Sequence, residues 1–573
     1  MYWSFLLLLT MVSCQQDDLL NETGDGSFNN EVNSKSRIAE GIIPFTVENV
    51  QKALPTVLQY YSENRPEVAK RFGNYKVNTT HVYYKFTPQD SLQQAALMEN
   101  EDQFQLTTHA FEFTPVERTE DAKDDEIPVF YALVETDIRI PDVPYEVIAN
   151  LHFTDEDKLE DAPHNYDEVE FKQNLMYETR KIAGHLDDEE LAEGYMNYRE
   201  GFEEDKAQKG NVSTRGLFGK KWRPSGNIRV EEDIVRSNNS SRNHFEPVKR
   251  ARVNVLKWGW LQVEHGTTDN NGNFTTGTTY TKNVHYKVKF KHDYVTVKEG
   301  NFYNTADYFS GSHKRAPLNI TFVNNAALSH YQFFALIHNA SYDYYSRCLS
   351  QYGLHNPGNL NITALYNGSG SNSGAQWYPF NSAIRVSRSG GGVYRGSDGI
   401  YATTVHELTH NGHRKMDPGM FSLFHLSSKT RLLMTESWAE GVETILTNER
   451  YLTIYSTNGY GRYTATRTSN TINNLTRGWN GNKQFEKIQE MDEYTPLVID
   501  LVDNLNQNTL NNANNLPVDR VSGYTLSQIQ AALKGSRNLN EWRDKLVNNY
   551  NNPTEQFIDD VFDYAQFVRN NNL

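Results

Sequence analysis

The chain has 573 residues, 38% of them hydrophobic and 12% aromatic, which supplies enough apolar side chains for packed cores and excludes a wholly disordered chain. At about 150 residues per domain, this length predicts three or four domains. Its 72 acidic and 56 basic residues leave a formal charge of −16, which argues against a general binder of nucleic acid or anionic lipid, because either needs a basic face.

The first predicted element is the apolar run Trp3 to Val12 (WSFLLLLTMV), too short to span a bilayer and followed by polar residues. Its end, Met11-Val12-Ser13-Cys14, resembles the lipobox of bacterial lipoprotein signal peptides. The resemblance implies that residues 1–13 are removed and that the Cys14 thiol carries diacylglycerol, with further acylation by a fatty acid such as palmitate. One departure is the lack of Lys or Arg in the Met1-Tyr2 lead. Two or three acyl chains anchor stably where one does not. Residues 14–40 read as a flexible polar tether. Within it, Gln15-Gln16-Asp17-Asp18 resembles the surface-export signal of lipoproteins in the Bacteroidetes group, implying the outer face of the outer membrane. No later run of 18 apolar residues occurs. The second cysteine, Cys348, lies in an apolar helical pattern and reads as core; with Cys14 acylated, no intrachain disulfide forms.

Residues 41–155 read as an α+β module, with strands at Thr80–Phe86 and Val129–Thr136 and a helix at Ser91–Glu99. Ile43–Leu54 and the THVYYKF segment after it resemble an N-terminal module of Bacteroidetes surface lipoproteins, a resemblance that names no chemistry. The acidic runs Glu120–Glu126 and Asp155–Asp161 read as solvated loops. Residues 156–245 are helical, then irregular. In 246–310, Val253 and Val255 alternate with polar neighbours, Thr268–Phe274 forms a tight turn in which Gly272 permits positive φ, and Tyr286–Phe290 is a strand. This arrangement resembles the carboxypeptidase-regulatory-like β-sandwich, implying a spacer or docking module.

Residues 311–573 carry the chemistry. A helix is expected at Asn324–Gln351, then strands at Leu360–Tyr366 and Ala383–Ser387. A glycine-rich turn, Ser389–Gly399, leads to a helix at Ile400–His413, with Ser397 or Asp398 as its cap. That helix contains His406-Glu407-Leu408-Thr409-His410. Histidines at i and i+4 project from one face and can reach one tetrahedral zinc ion. Glu407, beside the first of them, can take a proton from a metal-activated water and return it to a leaving amine.

The third ligand is sought downstream, because His413 stands where the metzincin pattern requires glycine. The helix Leu433–Leu446 presents Glu436, Glu440 and Glu443 at spacings of four and three. Together with the first motif this resembles the gluzincins, in which a glutamate on a later helix completes the site. In one register Glu436 binds zinc and Glu440 orients an imidazole; in the other, read from Trp438-Ala-Glu440-Gly, Glu440 is the ligand. His413, Arg414, Tyr451 and Tyr460 are candidate donors to an oxyanion, each with a structural role as the plainer reading. Asn458–Asn482 reads as a loop that can cover the cleft. Helices at Tyr494–Asn506, Leu526–Lys534 and Glu541–Tyr550 are expected to form a second lobe.

The expected architecture is therefore multidomain α+β: an N-terminal α+β module, a small β-sandwich and a C-terminal zincin-like catalytic domain of mixed sheet and helices. The expected function is that of a lipid-anchored extracellular metallopeptidase with one catalytic Zn2+ and a protein or peptide substrate, touching the membrane through its N-terminal lipid. The alternative is a noncatalytic surface adhesin or glycan- or protein-binding lipoprotein on a zincin scaffold. Oligomeric state and cleavage preference are not legible.

Overall fold

His81–Phe86 (HVYYKF) is rich in aromatic and β-branched residues and forms the middle strand of a three-stranded antiparallel sheet, flanked by Phe130–Glu135 and Tyr145–Leu151. Helices Val47–Asn64 and Tyr166–Ile182 pack on it. Val50, Val57 and Tyr61 of the first and Phe171 and Leu175 of the second share a core with Tyr83, Tyr131 and Leu133. The computed structural model describes residues 43–108, 110–111, 127–186, 191, 220–300, 304–368, 371–374, 383–390, 393–421, 428–465, 493–509 and 516–571. Cys14, the signal segment, the tether and the acidic run Glu120–Glu126 lie outside the described residues, as does most of the Asn458–Asn482 loop.

The acidic run Asp155–Asp161 is only in part the solvated loop expected of it: Asp155, Glu160 and Asp161 are exposed, but Glu156 is buried. Lys172 holds Asp155 at 2.6 Å, Glu156 is fully buried against Lys257, and Asp157 accepts from the Thr279 hydroxyl at 2.7 Å and the Tyr280 N–H at 2.6 Å. Glu156 and Asp157 thus fasten the N-terminal module to the strands and loops that follow. A second bolt lies nearby. Asp102 meets Lys289 at 2.8 Å and Lys291 at 2.9 Å, and Glu101 meets Lys298 at 3.2 Å.

The 246–310 segment, expected as a separate β-sandwich, shares its sheets and its core with both neighbours. Arg252–Lys257, Leu261–Thr267 and Asn283–Lys289 pair antiparallel in a five-stranded sheet. Its next strand, Val295–Glu299, instead runs parallel to Leu360–Leu365, which is parallel to Ala383–Ser387. Ser225–Glu231 likewise pairs in parallel with Leu318–Phe322. One continuous core runs from Ile228 through Val255, Val297, Ile362, Trp438 and Leu501 to Ala565. The turn at Thr268–Phe274 follows its sequence: Asp269 accepts from the N–H groups of Asn271 and Asn273 at 2.8 Å, and Gly272 adopts φ +78°.

Parallel strands need a long crossover, and the helix Ser329–Asp343 lies between Val295–Glu299 and Leu360–Leu365 in the chain. It continues through a π-helical turn, Tyr344–Cys348, to Tyr352. Cys348 is fully buried there, and burial next to Asp343 pushes its thiol up to about 12, which suits a core residue and not a nucleophile. Among the described residues no helix is long and apolar enough to cross a membrane.

Candidate metal centre

The first motif lies on the helix Ser397–Met416, which follows a short hairpin, Ser389–Gly390 with Val393–Tyr394. Its cap is Gly396, so Ser397 and Asp398 fall in the first turn and neither is the capping residue. Capping comes instead from another element: the Asp233 carboxylate accepts the Ser397 N–H at 2.7 Å. Asp398 accepts the Gly399 N–H at 2.8 Å and the Tyr463 hydroxyl at 2.8 Å. Two acids thus meet the positive end of the helix dipole. Ile400, Val405 and Leu408 bury this helix in the large core.

The acidic helix is longer than its sequence pattern implied, Lys429–Thr457, and is capped by the Ser428 hydroxyl accepting the Arg431 N–H at 3.4 Å. Leu433, Trp438, Val442 and Leu446 bury it against the motif helix and its surroundings. Gly441 permits a close approach to the short helix Leu497–Val502, because a Cβ there would lie 2.4 Å from the Val498 side chain.

The packing of these two helices brings three sequence-predicted residues to one point. His406 Nε2 and His410 Nε2 are 3.0 Å apart. Glu436 Oε2 lies 3.2 Å from His410 Nε2 and 3.4 Å from His406 Nε2. All three are buried, as is Glu407. Their ligand atoms form one group within 4.8 Å; His406, Glu440 and Glu443 form another.

The other side of His406 is held as well, by Glu443 Oε2 at 2.9 Å from Nδ1. Orienting an imidazole, the role expected of Glu440, thus falls to Glu443, two helical turns beyond Glu436. This contact suits a proton on Nδ1, so that Nε2, which faces Glu436 and His410, is the nitrogen free to bind a metal once it is deprotonated. Burial disfavours charge on His406, but the carboxylates of Glu436 and Glu443, with Glu407 nearby, outweigh it and raise its pKa well above the ordinary value. Burial likewise opposes charge on Glu436, and the two imidazoles overcome it, holding that carboxyl well below the usual carboxylate range.

Of the four candidate donors, Tyr451 gives its hydroxyl to Glu232 at 2.8 Å, and the Tyr460 hydroxyl meets His244 Nδ1 at 3.2 Å. The His413 ring packs edge-on to Phe421. Arg414 bonds Asn411 at 3.1 Å; burial lowers its pKa, against the opposing field of Glu407. A residue that sequence reasoning passed over lies beside the site. The Tyr494 ring centroid lies 6.3 Å from that of His406. Its segment is stitched to the acidic helix by Ser437, whose hydroxyl accepts the Thr495 N–H at 3.1 Å and reaches the Glu493 carbonyl at 3.3 Å. Nothing near Tyr494 in the sequence signals this, since the contact depends on how the short helix packs at Gly441. No protein-family model matches the chain, and no curated protein matches it either.

Proposed function

We propose that the chain is a zinc-dependent peptidase of gluzincin type, in which His406, His410 and Glu436 hold the ion and Glu407 moves the proton. One observation carries this reading: two imidazole nitrogens and a carboxylate oxygen converge in a buried site at 3.0, 3.2 and 3.4 Å from one another. Tetrahedral zinc with bonds of about 2.0–2.1 Å holds neighbouring donors about 3.3 Å apart. The donor set therefore fits one zinc ion as it stands, and two nitrogens with one carboxylate suit zinc better than a hard cation.

A zinc ion held there supplies a Lewis acid that polarises a carbonyl and lowers the pKa of a water. Glu407, one residue from the first ligand, accepts the proton released by the attacking water and delivers it to the departing amine. Glu443 keeps His406 in the tautomer that presents Nε2. Tyr494, whose ring lies beside that of His406, is a candidate to donate to a developing oxyanion.

The lipobox-like end of the leader and the acidic pair behind it support a lipoprotein held by Cys14 on the outer surface, acting on extracellular proteins or peptides. The test is metal analysis and cleavage of a peptide library by the full-length protein. The reading requires about one zinc per chain and cleavage that disappears in Glu407→Gln while zinc remains. Absence of zinc after loading would refute it; zinc without cleavage of any peptide would leave a binding scaffold. Palmitate labelling lost in Cys14→Ala tests the anchor.

A further inference from the structure

A second set of acids lies on the far side of the short helix that packs against Gly441. Asp500 is on that helix, Leu497–Val502; Asp503 ends it; Asp519 comes from the following loop. One carboxylate oxygen of each lies within 4.8 Å of the other two.

Asp519 distinguishes this cluster from an ordinary acidic patch. It is 2% exposed, and among the described residues neither of its carboxylate oxygens accepts a hydrogen bond of normal geometry. Burial disfavours its charge most, Asp500, Asp503 and Asp560 add repulsion, and the Val521 N–H partly eases it. Arg520, the adjacent cation, is engaged by Asp560 at 2.7 and 3.0 Å. Asp500 is fully buried. It accepts from the Tyr564 hydroxyl and from Gln507 Nε2 at 2.9 Å, two neutral donors. The amide oxygen of Gln507 is itself buried without a partner. Among the described residues no cation meets these two buried carboxylates, and an unpaired buried charge costs several kcal/mol.

We infer that Asp500, Asp503 and Asp519 form a structural calcium site, separate from the histidine-bearing centre. The donors are all oxygen and mostly carboxylate, which selects a hard cation over zinc. Three protein carboxylates at one point favour calcium, since magnesium is usually held by one or two and keeps its waters. The bound ion joins the end of the short helix to the 516–521 loop and, through Tyr564, to the C-terminal helix Ile558–Asn571. Burial pushes the Asp500 and Asp519 carboxyls well up, so that a shared proton is the competing way to remove the charge.

The experiment uses full-length protein stripped of metal, reloaded with zinc, and melted with and without calcium. Calcium at about 1 mM should raise the melting temperature of the wild type by about 3 °C or more, and magnesium should not. Asp519→Asn should lose the calcium response, yet melt in calcium-free buffer at or above the wild type, because it removes a buried unpaired charge. Glu436→Gln, which disturbs the other centre, should keep the response. A folded wild type that ignores calcium would overturn the inference in favour of a proton-sharing pair. So would a response that survives Asp519→Asn, or one that Glu436→Gln abolishes.

Discussion

His406 has a carboxylate on each ring nitrogen, Glu436 on Nε2 and Glu443 on Nδ1. Replacing these acids singly separates their roles. Glu436→Gln should lose the zinc. Glu443→Gln should retain it with an affinity lower by about tenfold or more, the usual effect of losing a carboxylate behind a metal-binding histidine. Glu440→Gln should change zinc affinity least, and competition with a chromophoric chelator ranks the three; the opposite order would make Glu440 the ligand. Glu407→Gln should bind zinc normally and lower kcat by about a thousandfold, the scale of general acid–base catalysis. Tyr494→Phe should lower kcat with little change in KM or in zinc content. The convergence of His406 and His410 was legible because a spacing of four puts both on one helical face. The choice among three glutamates was not. Glu436, Glu440 and Glu443 share a face by spacing, and only the approach of the second helix decides which carboxylate meets which ring nitrogen.

Elements were legible where periodicity and propensity agreed, as for the strands His81–Phe86 and Ala383–Ser387 and the helix Leu526–Leu533. They were less so where a partner from far away supplies what the local sequence lacks. The motif helix has no side-chain cap of its own, and Asp233 provides one from more than 160 residues earlier. Asp233→Asn should therefore destabilise the protein by about 2 kcal/mol, seen as a lower urea midpoint, because a buried charge-assisted bond to a helix N-terminus is weakened. Gly441 belongs to the same scale. Gly441→Ala favours the helix locally, yet its methyl group would meet Val498, so the melting temperature should fall despite alanine's better propensity. A rise would mean that the short helix yields without strain.

For the whole molecule, composition and length announced several packed units, and the sequence signalled the strands of the 246–310 segment. What local patterns cannot show is where a strand finds its partner, and here Val295–Glu299 and Ser225–Glu231 both pair across the expected boundaries. The acid bolts between the N-terminal module and these sheets make the assembly sensitive to pH. Burial raises the pKa of Glu101, but Lys298 and Lys289 outweigh it and hold the carboxyl down at about 2, from an ordinary 4.5. With the folded value depressed, the stabilisation is complete above the ordinary value and lost as pH falls through about 2. Urea midpoints measured from pH 6 down to about pH 2 should fall, and Glu101→Gln should flatten that slope while lowering stability at neutral pH. A variant with an unchanged slope would show that Glu101 carries none of it. The pairing of Ser225–Glu231 with Leu318–Phe322 has a further result, in time instead of energy. As the chain is synthesised, the earlier strand waits nearly ninety residues for its parallel neighbour, and the core it starts is closed only when Trp542, Val561 and Phe562 arrive. Contacts so distant in sequence make folding slow and leave apolar edges open while it proceeds. A nascent chain of this protein is therefore a prime client for holding chaperones until its last helix is made.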